Sequence, residues 1–497
     1  MVFLDLTLTI SKTNDCWFDN AIENFYSLLL TFDYNHKLNI CLNEFDLKIS
    51  GNENDFIEIL DNLFEHHKNY VCIKKEENGE IKEFLKDFIL IQKRRKGLFI
   101  NLNPILFKNS KEEVPKIVHL LNEKGSKRCV ICDNSFKKKY DKLTQAVYPF
   151  TTKIKSLNGV RSYKNGMYYS FKDYENNICP LCFLIGILGW VTEKLIYWID
   201  LNRKKGYLFL PKSRNLLELY EFKEDCFNVS LLNTQRLSNI NVYLNGENKF
   251  TEGKFSTLLC FYSRFILECD YVPNIDWDIL EIPLGSIKNV RVFNFDVNYL
   301  ILNIIKDFID KNEDIYILFK SILFFNNDCV DWGLTKQIVE NLAESFLNND
   351  FRSFSRNFLP KNGSKILFSS KNINFLEYFD LLIYLWRLRP MSIKKEDLKT
   401  IKSVANIVAK ISVHNSNLFY KLDKIKTIDG FWSCLREISK KLLNPDLDKI
   451  KIKESSLCDL IILLKTNEGN WKEIRDLLII YSAVYFSINS RRELNGD

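Results

Sequence analysis

The chain has 497 residues, 46% of them apolar and 27% charged, with 17 Gly and 10 Pro. That length accommodates about two to four domains, and the balance excludes wholesale disorder, collagen-like or linker-rich composition and a many-turned all-β fold. The net charge is only +7, so any strong basicity has to be local.

The N-terminal stretch Val2–Ile10 alternates apolar and polar residues and reads as a strand. It lacks a basic leader region and carries Asp5 inside its apolar run, so it is not expected to be a signal peptide. Asn14 or Asp15 caps a helix whose apolar face carries Trp17, Ala21, Ile22, Phe25 and Leu29. Leu38–Ser50 has strand character, Asp55–His67 helical spacing, and Tyr70–Lys75 and Leu98–Leu106 strand spacing again. His66 and His67 close the second helix, where a C-terminal dipole favours a cation. Residues 1–110 therefore read as an α+β domain.

Residues 111–182 form the next segment, bounded by two CxxC pairs, Cys129–Cys132 and Cys179–Cys182. Across 127–172 there are 11 Lys or Arg and two acids, Asp133 and Asp141, a net +9 that leaves −2 for the rest of the chain. Four thiolates complete the shell of a structural Zn2+, and His119 is a possible substitute ligand, although a satisfied surface histidine is the plainer reading. The 46 residues between Cys132 and Cys179 exceed the ~15–20 of a compact zinc ribbon, so the metal would pin the base of a long loop. Buried unliganded cysteines are one alternative. A redox site, suggested by Pro180 beside Cys179 ahead of a helix, is the other. Within the loop, Lys137, Lys138, Lys139, Lys153 and Lys155 suit phosphate contacts. Asn-Gly turns at 158–159 and 165–166 present Asn158, Arg161, Lys164 and Asn165 at an exposed tip. A merely solvated charged face is the competing reading, and the concentration of charge favours nucleic acid over it.

Phe183–Leu201 reads as a mostly buried helix, and its apolar run Phe183–Val191 is about half of what a membrane span requires. Residues 183–295 continue as mixed α+β, with strands expected at Tyr207–Leu210, Ile240–Leu244 and Val290–Phe295. From Asp296 helical periodicity takes over: Leu300–Ile309, Ile315–Phe325, Leu334–Leu347, Phe375–Leu388, Lys395–Ile411, Phe431–Leu443, Leu457–Leu464 and Trp471–Phe486. Pro390 divides this region into 296–390 and 391–497. The expected fold class is α+β: a mixed N-terminal domain with an inserted zinc-ribbon-like basic loop, followed by an all-α C-terminal helical bundle.

Thirteen cysteines, an odd number scattered over a large chain, do not form the framework of a small secreted domain. A reducing, cytoplasmic location without membrane attachment is expected. The chain contains no GxxxxGKS/T, HExxH or GxSxG motif and no His–Asp pair. Its five histidines and its adjacent carboxylates, Glu224 with Asp225 and Asp276 with Asp278, sit in no nuclease frame. It reads as a binding protein and not as an enzyme.

In order, these features are a strand, a Trp-centred helix (Cys16-Trp17-Phe18-Asp19-Asn20-Ala21), CxxC, a long basic insert, Cys-Pro-Leu-Cys and a helical second half. The order resembles the CRISPR-associated CXXC–CXXC family, the large subunit of type I-A and I-B Cascade complexes. The likeness covers the whole chain in outline, with the Cys pairs and the Trp17 segment as its motifs. It implies a non-catalytic subunit that assembles with guide RNA and Cascade backbone subunits. Such a subunit binds target double-stranded DNA near the protospacer-adjacent motif, aids R-loop formation and recruits a helicase–nuclease. It further implies that a helical C-terminal fragment can be made from an internal start, for which Met391 is placed just after Pro390. A zinc-stabilised transcription or transposition factor is the alternative from another class.

Overall fold

The computed structural model describes residues 5–13, 15–67, 71–77, 80–86, 92–94, 97–99, 106, 109–141, 161–162, 167–168, 176–189, 191, 196–200, 205–228, 241–244, 247–283, 291–326, 329–360, 365–369, 374–390, 394, 396–412, 417–442 and 455–495. The chain divides into two units, one of residues 1–250 and 273–297, the other of 251–272 and 298–497. Mixed α+β architecture with small sheets holds for the described residues.

The first unit begins with strand Asp5–Ser11, helix Cys16–Phe32, strands Asn39–Leu42 and Asp46–Asn52, and helix Glu53–His67. The antiparallel sheet runs in the order Asp5–Ser11, Asp46–Asn52, Asn39–Leu42. These are the first five elements of a split βαβ arrangement. The single strand expected over Leu38–Ser50 is two strands, because Asn43 closes a turn in which its side chain accepts the Phe45 and Asp46 amides at 2.9 and 2.7 Å. Asp15 caps the first helix by accepting the Phe18 amide at 3.1 Å. Leu6, Leu8 and Ile10 from the strand meet Trp17, Phe25, Phe56 and Phe64 in the core.

The first helix also holds the segment around residues 188–191 in place. Asn24 Nδ2 donates to the Leu188 and Val191 carbonyls at 2.7 and 3.0 Å, satisfying groups left open where helix Pro180–Leu188 ends. A Cβ on Gly189 would stand 2.7 Å from the Ala21 Cβ, so glycine is what lets the chain pass this close to the first helix. The helix expected over Phe183–Leu201 stops there, and Ile196–Asp200, rich in β-branched and aromatic residues, is a strand. It opens a second antiparallel sheet in the order Ile196–Asp200, Lys205–Lys212, Asp276–Pro283, Arg291–Phe295.

In the second unit, helix Lys254–Cys269 is capped from another element. The Glu340 carboxylate accepts the Phe255 and Ser256 amides at 2.9 and 3.0 Å. The C-terminal half is not all-α. Ile322–Asn326, read as a continuation of helix Ile315–Lys320, is the central strand of a sheet with Cys329–Val330 and Lys365–Phe368. Helix Trp471–Asn495 is buried on every side along Leu477–Tyr481. It packs against helices Phe351–Arg356, Asp397–Ser412 and Asn417–Lys424 and against strand Lys365–Phe368. Among the described residues, helical backbone ends at Leu388 and is next found at Asp397. Packing nevertheless runs across this interval: Arg352 bonds Asp476 at 2.6 Å and the Tyr481 hydroxyl donates to Asp380 at 2.7 Å. Among the described residues no helix is long and apolar enough to cross a membrane.

Candidate metal centre

Cys129 and Cys132 sit in the turn of a short hairpin whose strands, Lys127–Arg128 and Ser135–Phe136, pair Lys127 with Phe136 and Arg128 with Ser135. The Cys129 amide donates to the Asn134 carbonyl at 3.0 Å, and the Asp133 amide to the Cys129 carbonyl at 3.0 Å. Asp133 adopts the left-handed conformation, φ 62°, that this tight return requires and that Asp tolerates better than most residues. A Cβ on Gly125 would lie 2.4 Å from the Lys137 Cα, which reserves that position for glycine.

Cys179 is the N-cap of helix Pro180–Leu188, with Pro180 at the first helical position. Its sulfur accepts the Cys182 amide at 3.3 Å, and its own amide donates to Cys129 Sγ at 3.3 Å. The Val130 amide donates to the Asn177 carbonyl at 2.9 Å, so backbone as well as sulfur joins the two arms. The four ligand atoms all lie within 4.8 Å of one another, and Cys132 Sγ stands 3.7 Å from Cys179 Sγ. A tetrahedron with metal–sulfur bonds of about 2.3 Å has edges of about 3.8 Å. The all-sulfur donor set, its spacing and the amides directed at sulfur are compatible with a metal site such as zinc.

Cys129, Cys179 and Cys182 are buried and Cys132 is partly exposed. Burial acts to raise the Cys129 thiol, but hydrogen bonds from Cys132, Cys179 and Cys182 outweigh it and hold that thiol well below the ordinary range. Hydrogen bonding to Cys129, with burial, pushes Cys179 and Cys182 well above it. Among the described residues this is the one group of three or more His, Cys, Asp or Glu positioned to hold an ion.

Histidine stays out of the cluster. His119 Nδ1 lies 2.6 Å from Glu53 Oε1, the satisfied surface position anticipated for it. His67 departs from the expected dipole-stabilised cation: burial drives its pKa down to about 4, and its Nδ1–H donates to the Leu63 carbonyl at 2.8 Å.

Lys137, Lys138 and Lys139 leave the hairpin directly and are at least partly exposed. Each has a polar neighbour: Glu123 at 3.4 Å, Asp141 at 3.0 Å and Asn176 Oδ1 at 3.2 Å respectively. Exposed ion pairs of this kind contribute about 0–1 kcal/mol. Just beyond, the Tyr140 hydroxyl donates to the buried Glu113 carboxylate at 2.5 Å and its ring lies 4.8 Å from Phe183, anchoring the stretch against both flanking helices. Arg161 belongs to a two-residue strand paired with Met167–Tyr168. Lys153, Lys155, Asn158, Lys164 and Asn165 lie outside the described residues.

Two sets of cations escaped the candidate residues chosen from sequence. Lys127 and Arg128 are exposed on the hairpin strand that leads into Cys129. Residues 385–441 carry 13 Lys or Arg against five acids. Of these Lys394, Lys399, Arg436 and Lys440 are exposed, the last two one turn apart on helix Ile428–Leu442. A running charge count along the chain finds this second set. No family model matches the chain, and comparison with curated proteins finds no similar one.

Proposed function

We propose that the chain binds nucleic acid through a basic surface braced by a structural Zn2+, with no catalytic step of its own. The observation that carries this reading is the convergence of four cysteine sulfurs within 4.8 Å at the neck of a loop whose surroundings hold a net +9. Like charges packed this densely repel one another. A metal held by four thiolates contributes about 10 kcal/mol or more of apparent binding energy, enough to fix both ends of such a loop. Lys127, Arg128 and Lys137 then leave the metal turn on a short, cross-braced hairpin, suited to tracking phosphates.

Together with the family likeness, this supports reading the chain as the large subunit of a type I Cascade complex. Guide RNA and Cascade backbone subunits are its partners in assembly. Target double-stranded DNA near the protospacer-adjacent motif is its ligand, and a helicase–nuclease is the enzyme it recruits. Base pairing reads most of the target in such a system, so the protein needs a few groove contacts and many phosphate contacts. Asn158, Arg161, Lys164 and Asn165 are assigned to the groove near that motif and Lys137, Lys138, Lys139, Lys153 and Lys155 to the backbone. Purification of the native assembly and sequencing of bound RNA is the test. Short guide RNAs with co-purifying backbone subunits are the expected result. An RNA-free chain that still binds duplex DNA would instead fit a transcription or transposition factor. Arg161→Ala with Lys164→Ala weakens target binding at moderate salt, and unchanged binding would sink their assignment.

A further inference from the structure

The four sulfurs of the metal centre belong to two arms, Cys129 and Cys132 to the hairpin and Cys179 and Cys182 to the helix Pro180–Leu188 and its N-cap. In a cluster that spans up to 4.8 Å, Cys132 Sγ stands 3.7 Å from Cys179 Sγ on the opposite arm. Cys129 Sγ, the other hairpin sulfur, accepts the Cys179 amide at 3.3 Å. Cys132 is partly exposed, whereas the other three are buried. The arms are also joined by contacts that involve neither sulfur nor metal. The Val130 amide donates to the Asn177 carbonyl at 2.9 Å. Beyond the hairpin the Tyr140 ring lies 4.8 Å from that of Phe183, and its hydroxyl donates to the buried Glu113 carboxylate. These contacts hold Cys132 opposite Cys179 whether or not an ion stands between them.

We propose that Cys132 is an oxidation site for hydroperoxides and that Cys179 resolves it, so that a disulfide replaces the metal at the neck of the loop. The Cys132 thiolate attacks one peroxide oxygen, the O–O bond breaks and hydroxide leaves, giving a sulfenic acid. The Cys179 thiolate attacks that sulfur, the S–O bond breaks and a second hydroxide leaves. The two thiolates lose two electrons, and hydrogen peroxide takes them up with two protons to become two waters. Cys129 and Cys182 remain, too few for the closed shell of a structural zinc. Because Cys132 and Cys179 stand at the two ends of the 46 intervening residues, their bond keeps those ends together after metal is lost. A disulfide within either arm would not. The inference rests on the metal reading for one property: bound Zn2+ keeps its cysteine ligands deprotonated, whereas an ordinary free cysteine is a thiolate for only a few per cent of the time at pH 7.

The test is titration of the full wild-type chain with hydrogen peroxide, after its zinc content has been measured. Alkylation, proteolysis and mass spectrometry then identify the thiols lost and the peptides joined, while a chromophoric chelator reads released zinc. Cys41, Cys329 and Cys458, exposed and outside the cluster, are the internal reference. The expected first product is the Cys132–Cys179 crosslink, with about one zinc released for two thiols lost. Those two thiols should disappear about tenfold faster than the three reference thiols, and a thiol reductant with added zinc should restore both. Any other first disulfide, Cys129–Cys132 and Cys179–Cys182 included, overturns the inference. So does a sulfinic acid at Cys132 without a disulfide, or a cluster that keeps its four thiols while the reference cysteines oxidise. A chain that holds no zinc, takes none up and still forms the Cys132–Cys179 bond removes the metal from the proposed function and leaves the oxidation site standing. A zinc-bearing chain that forms a different bond does the reverse.

Discussion

At the scale of single residues the four cysteines differ in burial and in consequence. The bond that joins the arms runs from the Cys179 amide to Cys129 Sγ, so replacing Cys129 removes a ligand and a strut together, whereas replacing Cys179 removes a ligand and leaves the amide in place. Cys129→Ser or Cys179→Ser is expected to abolish retention of about one zinc per chain and to lower the thermal midpoint, as metal analysis and calorimetry would show; a variant that kept its metal would remove the site from consideration. His67 gives a different handle. Its folded-state pKa of about 4 lies below the ordinary 6.5, so between those values the unfolded chain binds more protons than the folded one. Its stabilising contribution is complete above about pH 6.5 and declines as pH falls toward 4. The loss between pH 7 and pH 5 amounts to about 2 kcal/mol. His67→Phe removes that titration, and urea unfolding at the two pH values should show a correspondingly smaller acid loss than wild type. His67 also illustrates what residue type alone conveys. Its place at a helix end was legible, but its charge state depended on burial against Phe32, whose ring is 5.5 Å away and 35 positions earlier in the chain.

At the scale of elements the metal hairpin depends on backbone closeness as much as on sulfur. Gly125→Ala would push a methyl into the Lys137 backbone, for a cost of about 1–3 kcal/mol and a weaker hold on metal, measurable by competition with a chelator. An unaltered chelator midpoint would show the hairpin to be more compliant than its geometry implies. Helices with strong 3.6-residue periodicity were legible to within a few residues, as Trp332–Leu347 and Asp397–Ser412 illustrate. Strands formed by distant pairing were not. Asp276–Pro283 meets Lys205–Lys212 residue for residue along eight positions, yet its sequence displays Asp276, Asp278 and Glu281, acids that burial in a central strand had to accommodate. Ile322–Asn326 carries the apolar run Ile-Leu-Phe-Phe, which fits a buried strand and a buried helix alike. The pairing of Cys129–Cys132 with Cys179–Cys182 was legible because metal chemistry demands four ligands however far apart they fall. The contacts that join residues on the two sides of Pro390 were not legible. A fragment beginning at Met391 would uncover Tyr481, Asp476 and Ser487, whose partners Asp380, Arg352 and the Ile366 amide all precede it. Residues 391–497 expressed alone should therefore lack a cooperative thermal transition unless a partner surface supplies those contacts. A sharp transition for the isolated segment would show that it stands as a domain.

At the scale of the whole molecule the decisive quantity is where the charge lies. Segments 127–172 and 385–441 together hold 24 Lys or Arg against seven acids, leaving the remainder of the chain at −10. The first segment falls in one unit and the second in the other. A protein adapted only for solubility has no reason to segregate charge in this way, because mixed signs over the surface serve that end. On the nucleic-acid reading, each of the two basic segments is a candidate to meet phosphates, and each can be tested separately. Counterion release makes the claim quantitative, since each phosphate neutralised on duplex DNA steepens the fall of log affinity with log salt by about 0.9. Neutralising Lys137, Lys138 and Lys139 together should reduce that slope by up to about 3. Neutralising Lys394, Lys399, Arg436 and Lys440 should reduce it by up to about 4 if each meets a phosphate. Titrations of target duplex at several salt concentrations measure both slopes on the same protein. Because the two sets lie in separate units, their effects should add in the combined variant. A slope that responds to the first set and ignores the second would confine nucleic acid to the metal-braced surface and return residues 385–441 to the role of a solvated face.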